Sequence, residues 1–430
     1  MVENYSQYLD GMPVNRISKV SVATMTATFL IAHPALAANT WAESRSDGMG
    51  GAGVASASYG SGVLINPALL AKSHDDDNVS VVLPSVGVEV SDKDNLRNEI
   101  DNISDKVNTW KDELGNITLL NYTQQLPRIQ AAAGDLADEL NYLDGKTASA
   151  KAAAGLAVSI PTSTISMAFV TKAWARARVS SYIDPNDVAL LQNISNSTTA
   201  AAAAALDPSA VQDNLKSTGF GRAAIVSDYG IALAKQFDIG GVPVSVGVTP
   251  KLQKTWLYNY SVSIYNYNSD DLRDSKYRNT DTGFNVDAGI AADFGEHWTV
   301  GLSGQNLVPR DIDTKEINGY KDTFQISPLV TAGVAWSNEL LTLTADGDLT
   351  ETKGFKSEEN SQYLRAGAEV RPLSWLAVRA GYQADIKGND NNAVTAGLGF
   401  APFNRVHLDI NGLVGEKETW GAGAQLTFTF

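Results

Sequence analysis

The sequence predicts an all-β chain: an antiparallel β-barrel of the outer-membrane type, about 14 strands, with an N-terminal plug and helical inserts in its outer loops. Three observations predict it. In repeated stretches between residue 78 and the end, apolar and polar residues alternate with a period of two. The connections between these stretches alternate between short and long. After the N-terminal region, no segment is long and apolar enough for a membrane-spanning helix, so any spanning must use strands.

Composition narrows the function. The 430 residues carry 33 Lys+Arg against 48 Asp+Glu, a net charge of −15, with 36 Gly and no Cys. A chain without Cys has no disulfide framework, no thiolate zinc site and no thiol chemistry. An acidic balance without a basic block argues against a nucleic-acid partner held through phosphates. High Gly with sparse charge suits closely packed, often-turning strands.

The N-terminus reads as a leader. Arg16 and Lys19 precede an uncharged apolar run over 20–32, and Ala35-Leu36-Ala37 has the small-x-small form of a cleavage site. Residues 1–37 are therefore expected to be a signal peptide, 38–77 a plug, and 78–430 the barrel. Export places the barrel in the outer membrane of a Gram-negative cell.

The predicted strands are 78–91, 149–160, 164–182, 222–237, 242–265, 280–294, 297–308, 325–337, 340–350, 362–371, 375–386, 393–401, 405–412 and 419–430. The last is the clearest. Trp420, Ala422, Ala424, Leu426, Phe428 and Phe430 share one face, while Gly421, Gly423, Gln425, Thr427 and Thr429 share the other. The 242–265 strand is long enough to project past a membrane or to break at Pro250. In the first strand the apolar phase changes from odd (Val79, Val81, Leu83) to even (Val86, Val88, Val90) across Pro84, the mark of a bulge.

Polar and charged residues recur on the second face: Lys172, Arg176, Arg178, Asp346, Asp348, Arg365, Glu369, Arg379, His407 and Asp409. They read as lumen lining. The inserts 92–148 and 183–221 show helical spacing, with Leu96, Ile100, Ile103, Val107 and Trp110 at three- and four-residue steps. They read either as solvated decoration or as a cap over the barrel mouth.

Residues 40–72 are Gly-rich, too poor in helix formers for a helix and too short to fold alone. Within a lumen, Gly50, Gly51 and Gly53 let backbone approach backbone and form the flexible part of a plug. Asn66, Pro67 and Ala68 form its turn and latch. The run Gly-Met-Gly-Gly-Ala-Gly-Val-Ala (48–55) followed by Asn66-Pro67-Ala68 resembles the hatch of the FadL-like outer-membrane transporters. Together with 79–96 it resembles more closely the exported barrel family labelled conjugal transfer protein TraF.

The first resemblance implies passive passage of hydrophobic small molecules, fatty acids or aromatic compounds, without cofactor or energy source. In those transporters a kinked third strand opens the wall. Here 163–182 contains neither Gly nor Pro, and Pro84 is the nearest candidate kink. The second resemblance implies a link to plasmid transfer, with loops 92–148 and 183–221 as a contact surface of an envelope protein. Either way the partners are the bilayer and, through terminal Phe430, the barrel-assembly machinery, and the chain acts as a monomer. Catalysis finds no support: the four His stand in different elements without a triad motif. No metal ligand set is expected; His74-Asp75-Asp76-Asp77 reads as a solvated turn, with cation binding through its carboxylates the other reading.

Overall fold

The structure, a computed structural model, describes residues 42–73, 78–92, 94–118, 120–162, 164–197, 214–267, 271, 274–403, 405–416 and 418–430. The expected signal peptide, the run at 74–77 and the Ala-rich stretch 199–205 lie outside the described residues.

Fourteen strands close into one antiparallel barrel. In chain order they are β1 (Ser80–Ser91), β2 (Thr147–Ile160), β3 (Ser166–Tyr182), β4 (Thr218–Ile239), β5 (Val242–Ser263), β6 (Arg278–Phe294), β7 (Trp298–Gln305), β10 (Leu329–Ser337), β11 (Leu341–Asp348), β12 (Tyr363–Leu373), β13 (Leu376–Asp385), β14 (Ala393–Phe400), β15 (Val406–Gly415) and β16 (Thr419–Thr429). Each pairs with its sequence neighbour except at β7, which pairs with β10, and at the seam, where β1 pairs with β16. The seam runs from Ser80↔Thr429 to Ser91↔Thr419 and is finished by the Phe430 N–H donating to the Val79 carbonyl. Closure leaves no edge to aggregate.

The residues skipped between β7 and β10 form a separate hairpin, β8 (Arg310–Asp313) and β9 (Thr323–Ile326). The alternation reading had taken strands 297–308 and 325–337 with a plain loop between them. The missed signal was Asn318-Gly319, both at positive φ, the pair that a tight hairpin turn selects.

Pro84 makes a bulge. On the β16 side the register steps between Leu83↔Leu426 and Ser85↔Gln425, and on the β2 side between Val82↔Ala157 and Ser85↔Gly155. One extra residue on β1 turns Leu83 and Pro84 both outward, which explains the phase change in the sequence. The third strand is straight in register: β3 pairs without a step with β2 and with β4. Pro250 does not break β5. That strand runs 22 residues, and its ladder to β4 omits the pairs at Thr249 and Pro250 and resumes in the same register. β4 also has 22 residues. At ~3.3 Å per residue such a pair reaches well beyond the ~9–11 residues that span an apolar band.

The outward face is apolar. Phe169, Ile231, Leu252, Phe284, Leu343, Leu364 and Val394 all stand exposed on it. A belt of this kind around a closed barrel suits hydrocarbon rather than water.

A four-residue turn of helix, α1 (Ser44–Asp47), lies in the plug segment. Among the described residues, three longer helices lie in the long loops: α2 (Leu96–Gly115), α3 (Tyr122–Leu143) and α4 (Pro185–Ser195). Their apolar stripes face one another. Trp110, Val107, Leu136, Leu140, Leu191 and Tyr265 share one buried cluster. Asp187 fixes the end of this unit by accepting from the backbone N–H groups of Lys216 and Ser217.

Candidate functional site: a hatch seated in the barrel lumen

Residues 42–73 run inside the barrel, and most of them are buried. A segment without sheet partners must satisfy its backbone some other way. Here the wall side chains do it. The Asp346 carboxylate accepts from the N–H groups of Gly53 and Val54, at 2.7 and 2.9 Å. Thr395 accepts from the Gly50 N–H and donates to the Gly48 carbonyl. Ser303 and Gln305 both donate to the Ile65 carbonyl. Asn411 donates to Ser44, and Ser159 donates to the Gly60 carbonyl.

One charged contact ties the hatch to the far wall. The Arg45 guanidinium meets Glu369 in a two-bond fork, 2.8 and 2.9 Å. Glu369 also pairs with Arg379 at 2.6 Å and with Arg371, and Arg379 reaches Asp409 at 2.6 Å. Glu369 is 1% exposed. A second tie, Lys72 to Asp293 at 2.6 Å, holds the other end.

The Asn66-Pro67-Ala68 turn is built as a cap. Asn66 Oδ1 accepts from the Ala68 N–H, and Pro67 opens the 3-10 turn Pro67–Ala71. Asn66 Nδ2 donates to the Val54 carbonyl at 2.9 Å and to the Ile290 carbonyl at 3.4 Å, joining two hatch segments and the wall. Gly50 and Gly51 sit at φ +75° and +81°. In this state both, with Gly53, are held by hydrogen bonds rather than slack.

The wall has a seat for the hatch. Cross-strand glycine pairs Gly247↔Gly289, Gly301↔Gly333 and Gly367↔Gly381 face inward. A Cβ on five of them would collide with hatch atoms of Pro67, Asn66, Val54, Met49 or Gly50, and at Gly333 it would meet the wall's own Asp346 first, with Val54 at 3.0 Å. Side chains are missing where the hatch approaches the wall most closely. Sequence reasoning did not select these glycines. Their signal was their phase, on the polar face of strands whose other face is apolar.

Between the hatch and the long-loop end lies a charged layer. Lys251 bridges Asp228 at 2.8 Å and Asp287 at 2.9 Å, and also donates to Asn306. Lys172 donates to Gln305 at 2.8 Å. Above the hatch residues Val63 and Leu64 these groups enclose a cavity of about 20 Å³, room for about one water. Of the remaining lining residues, Arg365 forks onto Asp348 at 2.7 and 3.2 Å, and Arg176 pairs with Glu358 at 2.6 Å. His407 lies on the inward phase of β15 with Asp409, opposite Thr427. Arg178 stands opposite Ser149 and Arg222, near the long-loop ends of β2 and β4. Lys251, Asp228 and Asp287 were not singled out from sequence, although they share the period-two phase of Lys172.

The hatch, its glycine seat and the closed barrel define the kind of molecule this is. The profile of the family described as "F plasmid transfer operon, TraF, protein" matches residues 63–348. The chain belongs to this family. No curated protein matches it. Among solved structures, this TraF-family chain is similar to the Ralstonia pickettii toluene transporter TbuX, with a TM-score of 0.51 and 12% identity over 90% of this chain and 98% of that one. A Pseudomonas aeruginosa FadL homologue gives 0.49 and 11%, over 92% and 99%. The P. putida toluene transporter TodX gives 0.47 and 12%, over 91% and 99%. The TraF-family chain thus shares a fold with the first of these, an outer-membrane-type barrel.

Proposed function

We propose that this chain is a hatch-gated channel of the Gram-negative outer membrane, passing hydrophobic small molecules such as aromatic compounds or fatty acids without cofactor or energy input. One observation carries the reading. The bore is stopped by a segment that touches the wall through glycine seats and reversible polar contacts, so it is closed by something that can leave. The fold similarity to a toluene transporter supports the cargo class. Residues 1–37 direct export, the outward apolar face meets the bilayer, and exposed Phe430 beside the β1–β16 seam is what the assembly machinery reads. A monomer is part of the proposal. The reading is tested by Gly381→Val, which places side-chain atoms where Met49 and Gly50 lie. Conductance in planar bilayers, and naphthalene uptake by cells with an intact lipopolysaccharide outer leaflet, should both rise. A folded variant as tight as the parent speaks against a gated bore.

A second reading follows from the family description: an envelope protein that serves plasmid transfer, with the helical loops as its contact surface. Loss of mating efficiency with uptake unaffected would favour it.

A further inference from the structure

The lumen wall changes character towards the long-loop end. At the level of Asp228 and Lys251 it is charged. One step further out, the inward positions are Trp174 on β3, Ala224 and Val226 on β4, and Leu257 on β5. Trp174 stands opposite Val226, and Ala224 opposite Leu257, so the four form one continuous apolar patch. Such a patch is out of place in a polar lumen unless something apolar sits on it.

The β8–β9 hairpin sits on it. Ile312, Phe324 and Ile326 project onto the patch, and Phe355 from the β11–β12 loop closes over the back. The Phe324 ring lies 5.9 Å from Trp174 and 5.1 Å from Phe355, the latter edge-on. Phe324 is 0% exposed. The hairpin is tied on several sides: Asn259 donates to the carbonyls of Lys315 and Tyr320 and Asn279 to that of Asp313, Arg222 pairs with Asp322 at 3.2 Å and Arg310 with Asp281, and the Gln325 N–H donates to the Gly354 carbonyl of the β11–β12 loop. It is a peripheral loop folded into the bore, with no barrel strand pairing to it.

A second observation points to a ligand. Thr255, directly opposite Val226, is fully buried, and its Oγ1 has no hydrogen-bond partner. An unpaired hydroxyl at the margin of an apolar, aromatic-lined site is a costly feature without an occupant to meet it.

We infer that this patch is a binding subsite for a planar aromatic molecule bearing one hydroxyl or other single polar group, and that Phe324 is its tethered competitor. Ligand arrival displaces the hairpin, ring for ring, and the Thr255 hydroxyl takes the ligand's polar group. The inference deepens the channel reading and rests on it for the source of the ligand. The bore then has two stoppers in series, the hatch and the hairpin, and cargo reaches the hatch only after replacing the second.

The test is equilibrium dialysis of 1-naphthol and of naphthalene against the full chain in detergent. Phe324→Ala with Ile326→Ala removes the competitor and should tighten 1-naphthol binding about tenfold, because the site no longer has to be vacated. Adding Leu257→Arg should abolish the gain. Thr255→Val in the released background should erase the preference for 1-naphthol over naphthalene. Equal binding by parent and released variant, both folded by heat-shifted mobility, overturns the subsite. So does a gain that survives Leu257→Arg. A released variant that does not prefer 1-naphthol overturns the role of Thr255. If the double substitution prevents folding, Phe355→Ala removes only the covering ring and should give a smaller gain of about threefold; no gain there also overturns the proposal. Naphthalene uptake by cells with an intact lipopolysaccharide outer leaflet separates the two claims. A binding gain without entry sinks the channel and leaves the subsite, and entry without a binding gain does the reverse.

Discussion

Glu369 is the group on which hatch seating most depends, and its removal gives the sharpest prediction. In the seated state the carboxylate neutralises Arg45 from the hatch and Arg379 and Arg371 from the wall, all within 2.9 Å. Glu369→Ala leaves Arg45 and Arg379 buried together with Asp409 and Glu43 as the remaining nearby acids. Stripping one partner from a buried pair costs ~3–5 kcal/mol. Part of that, the Arg379–Arg371 share, persists when the hatch leaves, so about 3 kcal/mol acts on seating itself. That is about a hundredfold rise in the unseated fraction. The chain has no Cys, so Ser44→Cys, at a position 1% exposed in the hatch, gives a clean reporter. Maleimide labelling in liposomes should accelerate about a hundredfold with Glu369→Ala, in proportion to the open population. Arg45→Ala added to Glu369→Ala removes the stranded charge and should slow labelling again, a non-additive result. Labelling within threefold of the parent in the Glu369→Ala protein would refute the reasoning.

Three further outcomes are expected. Asn66→Ala with Pro67→Ala removes a cap worth about 1 kcal/mol and the two Nδ2 contacts, so permeation and Ser44→Cys labelling should both rise; no change in either discards the latch. Deleting Pro84 removes the bulge yet leaves a regular alternation, Val82 in, Leu83 out, Ser85 in and Val86 out, so the heat-modifiable folded band should be retained, whereas deleting Leu83 and Pro84 together sets one half of the strand on the wrong face and should abolish it. Asp346→Ala strands the Gly53 and Val54 N–H groups, and hydrogen exchange at those two amides should become measurably faster than at Gly50, which Thr395 still holds.

The barrel was legible because its physics is local and repeated. Every strand that faces apolar surroundings on one side and a lumen on the other must alternate, and the Pro84 phase change recorded the bulge for the same reason. The hatch was legible through Asn66-Pro67 and the glycine run. What escaped was set by long-range packing. The Gly367↔Gly381 seat matters because Met49 and Gly50 arrive from more than 300 positions away, and no window of sequence contains both partners. The β8–β9 hairpin escaped because four-residue strands carry little periodicity, although Asn318-Gly319 marked its turn. Tyr260, near the end of β5, is buried against Tyr267 and Tyr277, a contact made by the chain after β5 that alternation within the strand does not reveal.

The central claim is that the hatch gates the bore, and locking it is the direct test. Ser44 in the hatch meets Asn411 on β15 side chain to side chain at 2.6 Å, so Ser44→Cys and Asn411→Cys place two thiols that a short bis-methanethiosulfonate reagent can bridge reversibly. Naphthalene uptake by cells with an intact lipopolysaccharide outer leaflet is then measured for the bridged and the reduced double variant. The account predicts uptake that is lost on bridging and restored by reductant. Equal uptake in the two states, with the bridge shown to have formed, would contradict it.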